Sequence, residues 1–151
     1  MAKATIECTC PECGAKHAWS VTCYNRREAD NWEQYHADEA TTRLCPECYR
    51  KARNAAATAA GEAAAAANNL PALEGTEKQI AWAQSIRGKA VDCIDKADLK
   101  DGVRPYLIAA VAAHTEARWW IDNRYTTNVM AENNPLCAEA VARMSADKED
   151  K

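Results

Sequence analysis

Phenylalanine is missing from this chain, and the large aliphatic residues are few: valine, isoleucine and leucine occur six times each in 151 residues. The apolar fraction of 48% therefore misleads, because 33 of the 72 residues behind it are alanine. A methyl group buries little area at about 25 cal/mol per Å². The large-side-chain core must be small, with five tryptophans and five tyrosines carrying much of it. Such a chain gains from a metal or a partner subunit. Also lacking is an apolar run of about 18 residues, which argues against a membrane span. The start, Met-Ala-Lys-Ala-Thr, has no apolar stretch of the secretory kind. There is no excess of positive charge either. The net charge is −3, which argues against coating nucleic acid by bulk charge and leaves room only for a local basic face.

What is present in excess is cysteine, eight in all. With no secretion signal in view, a cytoplasmic address keeps thiols reduced and favours metal binding over disulfides. The word Cys-Pro-Glu-Cys occurs twice, as Cys10–Cys13 and Cys45–Cys48, separated by the 31 residues 14–44. Each Cys-x-x-Cys turn brings two sulfurs within reach of one ion, and two such turns supply the four thiolates of a tetrahedral structural zinc. Cys10, Cys13, Cys45 and Cys48 are thus the expected ligands of one structural Zn²⁺. Iron is an alternative occupant during overexpression. Four sulfurs close the coordination shell, so no bound water is activated and the site is structural. A second site from Cys8, Cys23 and His17 or His36 is the alternative for the remaining N-terminal donors. The irregular spacing speaks against it, as it does against a nucleophile formed by His114 with Cys93 or Cys137.

The fold expected is α+β, mostly α. It comprises a zinc-ribbon β-hairpin module at 1–48, an alanine-rich connecting helix at 49–69, a small helical bundle at 70–144 and a flexible tail at 145–151. Residues 4–23 read as strand, knuckle and return strand, with Gly14 suited to a left-handed backbone after the second ligand. Residues 26–39, with Trp32 and Tyr35, suit a short amphipathic helix. The alanine tract from Tyr49 to about residue 67 is a helix on propensity. Having no large apolar residue after Tyr49, it either packs very closely on a neighbour or acts as a semi-rigid spacer. Thr76 and Gln79 form a capping box for a helix with a buried stripe at Ile80, Ala83, Ile86 or Arg87, Ala90 and Ile94. Pro105 suits a first helical position, from which a helix runs to near Tyr125. A last short helix spans 136–144.

The motifs C-P-E-C-G, L-C-P-E-C-Y, L-P-A-L-E-G-T-E-K-Q-I-A-W-A-Q-S-I-R and W-W-I-D-N-R, over residues 6–125, resemble small bacterial, phage and mobile-element proteins. These pair a zinc ribbon with a helical region bearing an E-K-Q-I-A-W-A-x-x-I-R signature. The resemblance implies that architecture and a role in mobile-element biology, including interference with a defence system.

Two binding functions follow. Tyr24, Arg26 and Arg27 after the hairpin, and Tyr49, Arg50, Lys51 and Arg53 after the second knuckle, form an edge able to contact phosphates and stack on bases. That reading makes the chain a non-enzymatic nucleic-acid-binding protein with a role in regulation. The alternative is a protein-interaction module, an inhibitor or adaptor, using Trp82, Arg87, Trp119, Trp120 and Arg124. Trp119 and Trp120 project about 100° apart on a helix, so they cannot share one narrow seam. One of them serves an interface, a self-interface included. Otherwise both fill space, with Arg87 or Arg124 paired to Asp122. No phosphate loop, open metal site or nucleophile elbow points to catalysis, and neither a small-molecule substrate nor a membrane is expected.

Overall fold

Alternating small and large side chains set up the first element. In a computed structural model that describes residues 1–129, 131 and 133–149, β1 (Ala2–Thr9) pairs antiparallel with β2 (Lys16–Cys23). The register runs from Ala2 opposite Cys23 to Thr9 opposite Lys16. Ala4 and Cys8 point inward from β1, and Ile6 lies opposite Trp19. The knuckle closes the hairpin with Gly14 at φ +70° and Gly14 N donating to Cys10 O at 2.8 Å. Helix α1 (Arg26–Tyr35) starts where the Asn25 side chain accepts from Glu28 N, and it buries Ala29. A 3-10 turn (Ala37–Thr41) leads on to α2.

Helix α2 spans Pro46–Ala67, three residues earlier than expected. Pro46 is its first residue, where a missing N–H costs nothing. The second Cys-x-x-Cys word is therefore the start of a helix, with Cys45 just before it and Cys48 in its first turn. Two compact units divide the chain, residues 1–53 and 54–151.

In the second unit, α3 (Glu77–Lys96) carries the expected capping box, with Thr76 N donating to Gln79 Oε1 at 3.1 Å and Gln79 N to Thr76 Oγ1 at 3.4 Å. The second half of α2 packs on α3 at very short range. A Cβ on Gly88 would lie 2.5 Å from Gly61 Cα. Thr58 Oγ1 donates to Ala81 O at 3.2 Å and Gln84 Nε2 to Gly61 O at 3.3 Å. Of the two options for the alanine-rich helix, this half takes close packing. Asp98–Gly102 breaks the pattern as read, and α4 (Val103–Ala113) follows with Pro105 third rather than first.

The long helix expected from Pro105 to Tyr125 is interrupted. Glu74 N donates to Thr115 O at 2.8 Å and Ala117 N to Glu74 O at 2.9 Å, a bridge that draws residues 114–116 out of the helix. A short α5 (Ala117–Asp122) and a 3-10 turn (Arg124–Thr127) take its place. Helix α6 runs Pro135–Glu149, beyond the Met144 limit. Buried Asn134 caps it, accepting from Leu136 N at 2.9 Å, and Tyr106 Oη donates to Asp147 at 2.7 Å in the segment expected as tail. Residues 150 and 151 of that tail lie outside the described residues. The core gathers Leu73, Ile86, Val91, Ile94, Leu107, Val111, Trp120, Val129 and Leu136 with buried alanines. The chain is α+β and mostly α, and no described helix is long and apolar enough to cross a membrane.

Candidate metal centre

The knuckle brings Cys10 and Cys13 to the turn end of the hairpin, and the start of α2 brings Cys45 and Cys48. Their sulfurs lie within 4.8 Å of one another. Cys13 Sγ and Cys45 Sγ approach to 3.7 Å, and Cys48 N donates to Cys45 Sγ at 3.4 Å. Cys10 and Cys45 are buried, Cys48 is half-buried and Cys13 is exposed. Four soft donors from two rigid turns fit one tetrahedral metal ion. The cluster could hold one such ion.

Cys10, Cys13 and Cys48 influence one another's titration. Cys10 is lowered to about 6, chiefly by the backbone amide of Cys45, against the effect of burial. Cys48 is pushed up to about 12 by the Cys13 and Cys45 side chains. At Cys13 the Ala15 amide and the Cys48 thiol favour the thiolate, yet the Cys10 and Cys45 sulfurs and desolvation outweigh them and its value rises. A metal arriving at neutral pH must therefore displace protons from Cys13 and Cys48.

No second metal group arises among the described residues. Cys8 faces His17 across the hairpin and its thiol donates to Ile6 O, Cys23 sits at the other end of β2, and His36 Nδ1 is held by Glu39 at 2.7 Å. His114 does not activate a cysteine. Its Nε2 meets Glu139 at 2.7 Å and its ring stacks on Trp119 at 3.5 Å. Cys137 donates to Val129 O, and desolvation raises it.

The expected basic edge is divided. Tyr24, Arg26 and Arg27 follow Cys23, which pairs with Ala2, at the hairpin end away from the knuckle. Seven strand steps at about 3.4 Å separate that end from Thr9, roughly 24 Å. Tyr49, Arg50, Lys51 and Arg53 stand at the metal end on α2. The two groups therefore do not form one edge around the metal. Arg26 is tied to Asp30 at 2.6 Å and Lys51 to Glu47 at 3.0 Å. Tyr49, Arg50 and Arg53 are exposed within the first two turns of α2, and no ion pair is recorded for either arginine among the described residues.

Of the residues expected at a protein interface, Trp82 is 52% exposed and Arg124 is exposed. Trp120 is fully buried, its Nε1 donating to His114 O at 2.8 Å. Arg87 is buried as well, donating to Pro71 O at 2.7 Å and Gln84 Oε1 at 2.8 Å rather than to Asp122, which pairs with Arg118. Those two side chains are interior, which corrects their assignment to a contact surface. Desolvation lowers Arg87. The sequence reading missed Arg43, whose guanidinium lies 3.5 Å over Trp19, itself edge-on to Trp32 at 4.5 Å. Two tryptophans in a unit with few large aliphatic residues were the available signal.

Comparison of the chain with protein-family models, curated proteins and solved structures gave no match.

Proposed function

We propose that the cysteine cluster holds one structural zinc ion and that the protein is a non-enzymatic, cytoplasmic nucleic-acid-binding protein whose contact surface is the start of α2. Zinc is the ion that suits four thiolates without open positions. The observation carrying the reading is the placement of Tyr49, Arg50 and Arg53, exposed on the turns that follow Cys48, so that the metal anchors the helix presenting them. Arginine forks grip phosphate and tyrosine stacks on bases. Binding to labelled single- and double-stranded oligonucleotides should weaken with salt by about 0.7–0.9 log units per phosphate contact for each tenfold rise. Replacing Arg50 and Arg53 by alanine should flatten that slope while zinc content is kept. Absence of retardation at low salt overturns the reading.

A second reading, contact with a protein partner, has one observation in its favour: the half-exposed Trp82 ring on α3. Exposed tryptophan is a frequent interface anchor. A partner retained in a pull-down by the native chain and lost with Trp82→Ala, with nuclease present throughout, would select it.

A further inference from the structure

The four sulfurs differ in exposure. Cys10 and Cys45 are 1% and 7% exposed, whereas Cys13 stands open to solvent. The closest recorded sulfur–sulfur approach, Cys13 to Cys45 at 3.7 Å, does not lie within either Cys-Pro-Glu-Cys word but joins the knuckle to the start of α2. A disulfide needs about 2.05 Å, so closing this pair asks for a small movement. A metal-bound thiolate at a solvent-open edge is the one a peroxide reaches first.

We propose that the metal centre is a peroxide-sensitive switch in which Cys13 is the reacting thiolate and Cys45 the resolving one. The proposal rests on zinc occupying the site. The Cys13 thiolate attacks one oxygen of hydrogen peroxide, the O–O bond breaks, and hydroxide leaves to be protonated to water. Cys13 is then a sulfenic acid. The Cys45 thiolate attacks that sulfur, the S–O bond breaks, and a second hydroxide leaves as water after protonation. Two thiolates have been oxidised, one peroxide has been reduced, and two protons have been consumed. Zinc, left with two of its four sulfurs, departs. The new bond keeps the knuckle tied to α2, so reduction by a dithiol restores the four-sulfur set.

The test uses the full chain, purified under reducing conditions, with its zinc content measured first. Hydrogen peroxide is then added in steps while a chromogenic chelator reports zinc release, and peptides are mapped without reduction. The expected result is release of one zinc per chain, a mass loss of two hydrogens, a Cys13–Cys45 linked peptide, and zinc re-uptake after dithiothreitol. A triple variant, Cys23→Ser, Cys93→Ser and Cys137→Ser, removes the competing thiols other than buried Cys8 and should behave the same. A chain with full zinc that keeps it while Cys93 or Cys137 is oxidised overturns the proposal and leaves the zinc reading standing. So does a disulfide mapped to Cys10–Cys13 or Cys45–Cys48. A chain that carries no zinc before peroxide overturns both.

Discussion

In residues 1–53 the buried apolar side chains are Ala4, Cys8, Cys10, Ala29 and Cys45, none larger than a cysteine. In residues 54–151 they include Trp120, three leucines, two isoleucines and three valines. Fully burying one large aliphatic side chain is worth about 1.5–3 kcal/mol. The second unit therefore has a carbon core of its own. The first has half-buried side chains, Ile6, Leu44, Trp19 and Trp32, with Arg43 laid over one face of Trp19, and four clustered sulfurs. The two units thus gather their folds differently, the second around apolar packing and the first around a cluster of sulfurs.

The sharpest break of that comparison is metal removal. Structural zinc in small domains contributes about 10–16 kcal/mol at neutral pH. Chelation, or Cys48→Ser, should strip amide-exchange protection from β1, β2 and α1 while α3 and α4 keep theirs. Cys93→Ser should do neither. Loss of protection in both units at one chelator concentration would show that they do not differ in this way. Acid should act as a graded chelator. Cys13 and Cys48 have raised values and must give up protons to bind. Apparent zinc affinity should thus fall at least about a hundredfold per pH unit below neutrality, tenfold for each of these two protons and more for any other ligand thiol that is protonated. A pH-independent affinity measured by competition with a zinc indicator would contradict this.

The converse break is Trp120→Ala. It empties the centre of the second core and leaves His114 O without its indole donor. Truncations of this size cost about 3–5 kcal/mol. Thermal unfolding followed by α-helix content should shift down strongly, with zinc stoichiometry unchanged. Gly88→Ala follows in size. The added methyl would meet the Gly61 backbone at 2.5 Å, with no flexible side chain to yield. Overpacking costs about 1–3 kcal/mol. The change should lower stability even though alanine is the better helix former. An unchanged or raised midpoint would mean that the two helices can separate freely.

These elements also divide by how far a reader of the sequence could see them. Both Cys-Pro-Glu-Cys words and the Thr76–Gln79 box were legible because their chemistry is local, closing within four residues. Gly61, a lone glycine in an alanine tract, carried a readable hint of the close helix crossing. The break at 114–116 did not, because it depends on Glu74, some forty residues earlier in the chain. Arg87 was legible as an alternative to Ile86 on the buried stripe of α3, but its partners were not. Only the carbonyl of Pro71 and the amide of Gln84, brought in by tertiary packing, make an interior place for it. The basic edge misled for a geometric reason. Strand length alone separates Tyr24 from Tyr49, and that follows only once the register is known.

The smallest effect has an unusual sign. Thr126 is fully buried in the second unit, and its hydroxyl has no hydrogen-bond partner among the described residues. Its backbone is satisfied independently, its N–H donating to Asn123 O and its carbonyl accepting from Asn134 Nδ2. Valine matches threonine in shape, so Thr126→Val opens no cavity and removes only a desolvated hydroxyl. An unpaired buried polar group costs about 1–3 kcal/mol, and relieving part of that should raise stability by about 1 kcal/mol. Urea denaturation with an unchanged slope reads this directly. In a unit held by carbon packing, one more methyl in place of a stranded oxygen is a gain. If the variant is instead destabilised, the hydroxyl has a partner such as an ordered water, and the second core is less dry than its residues indicate.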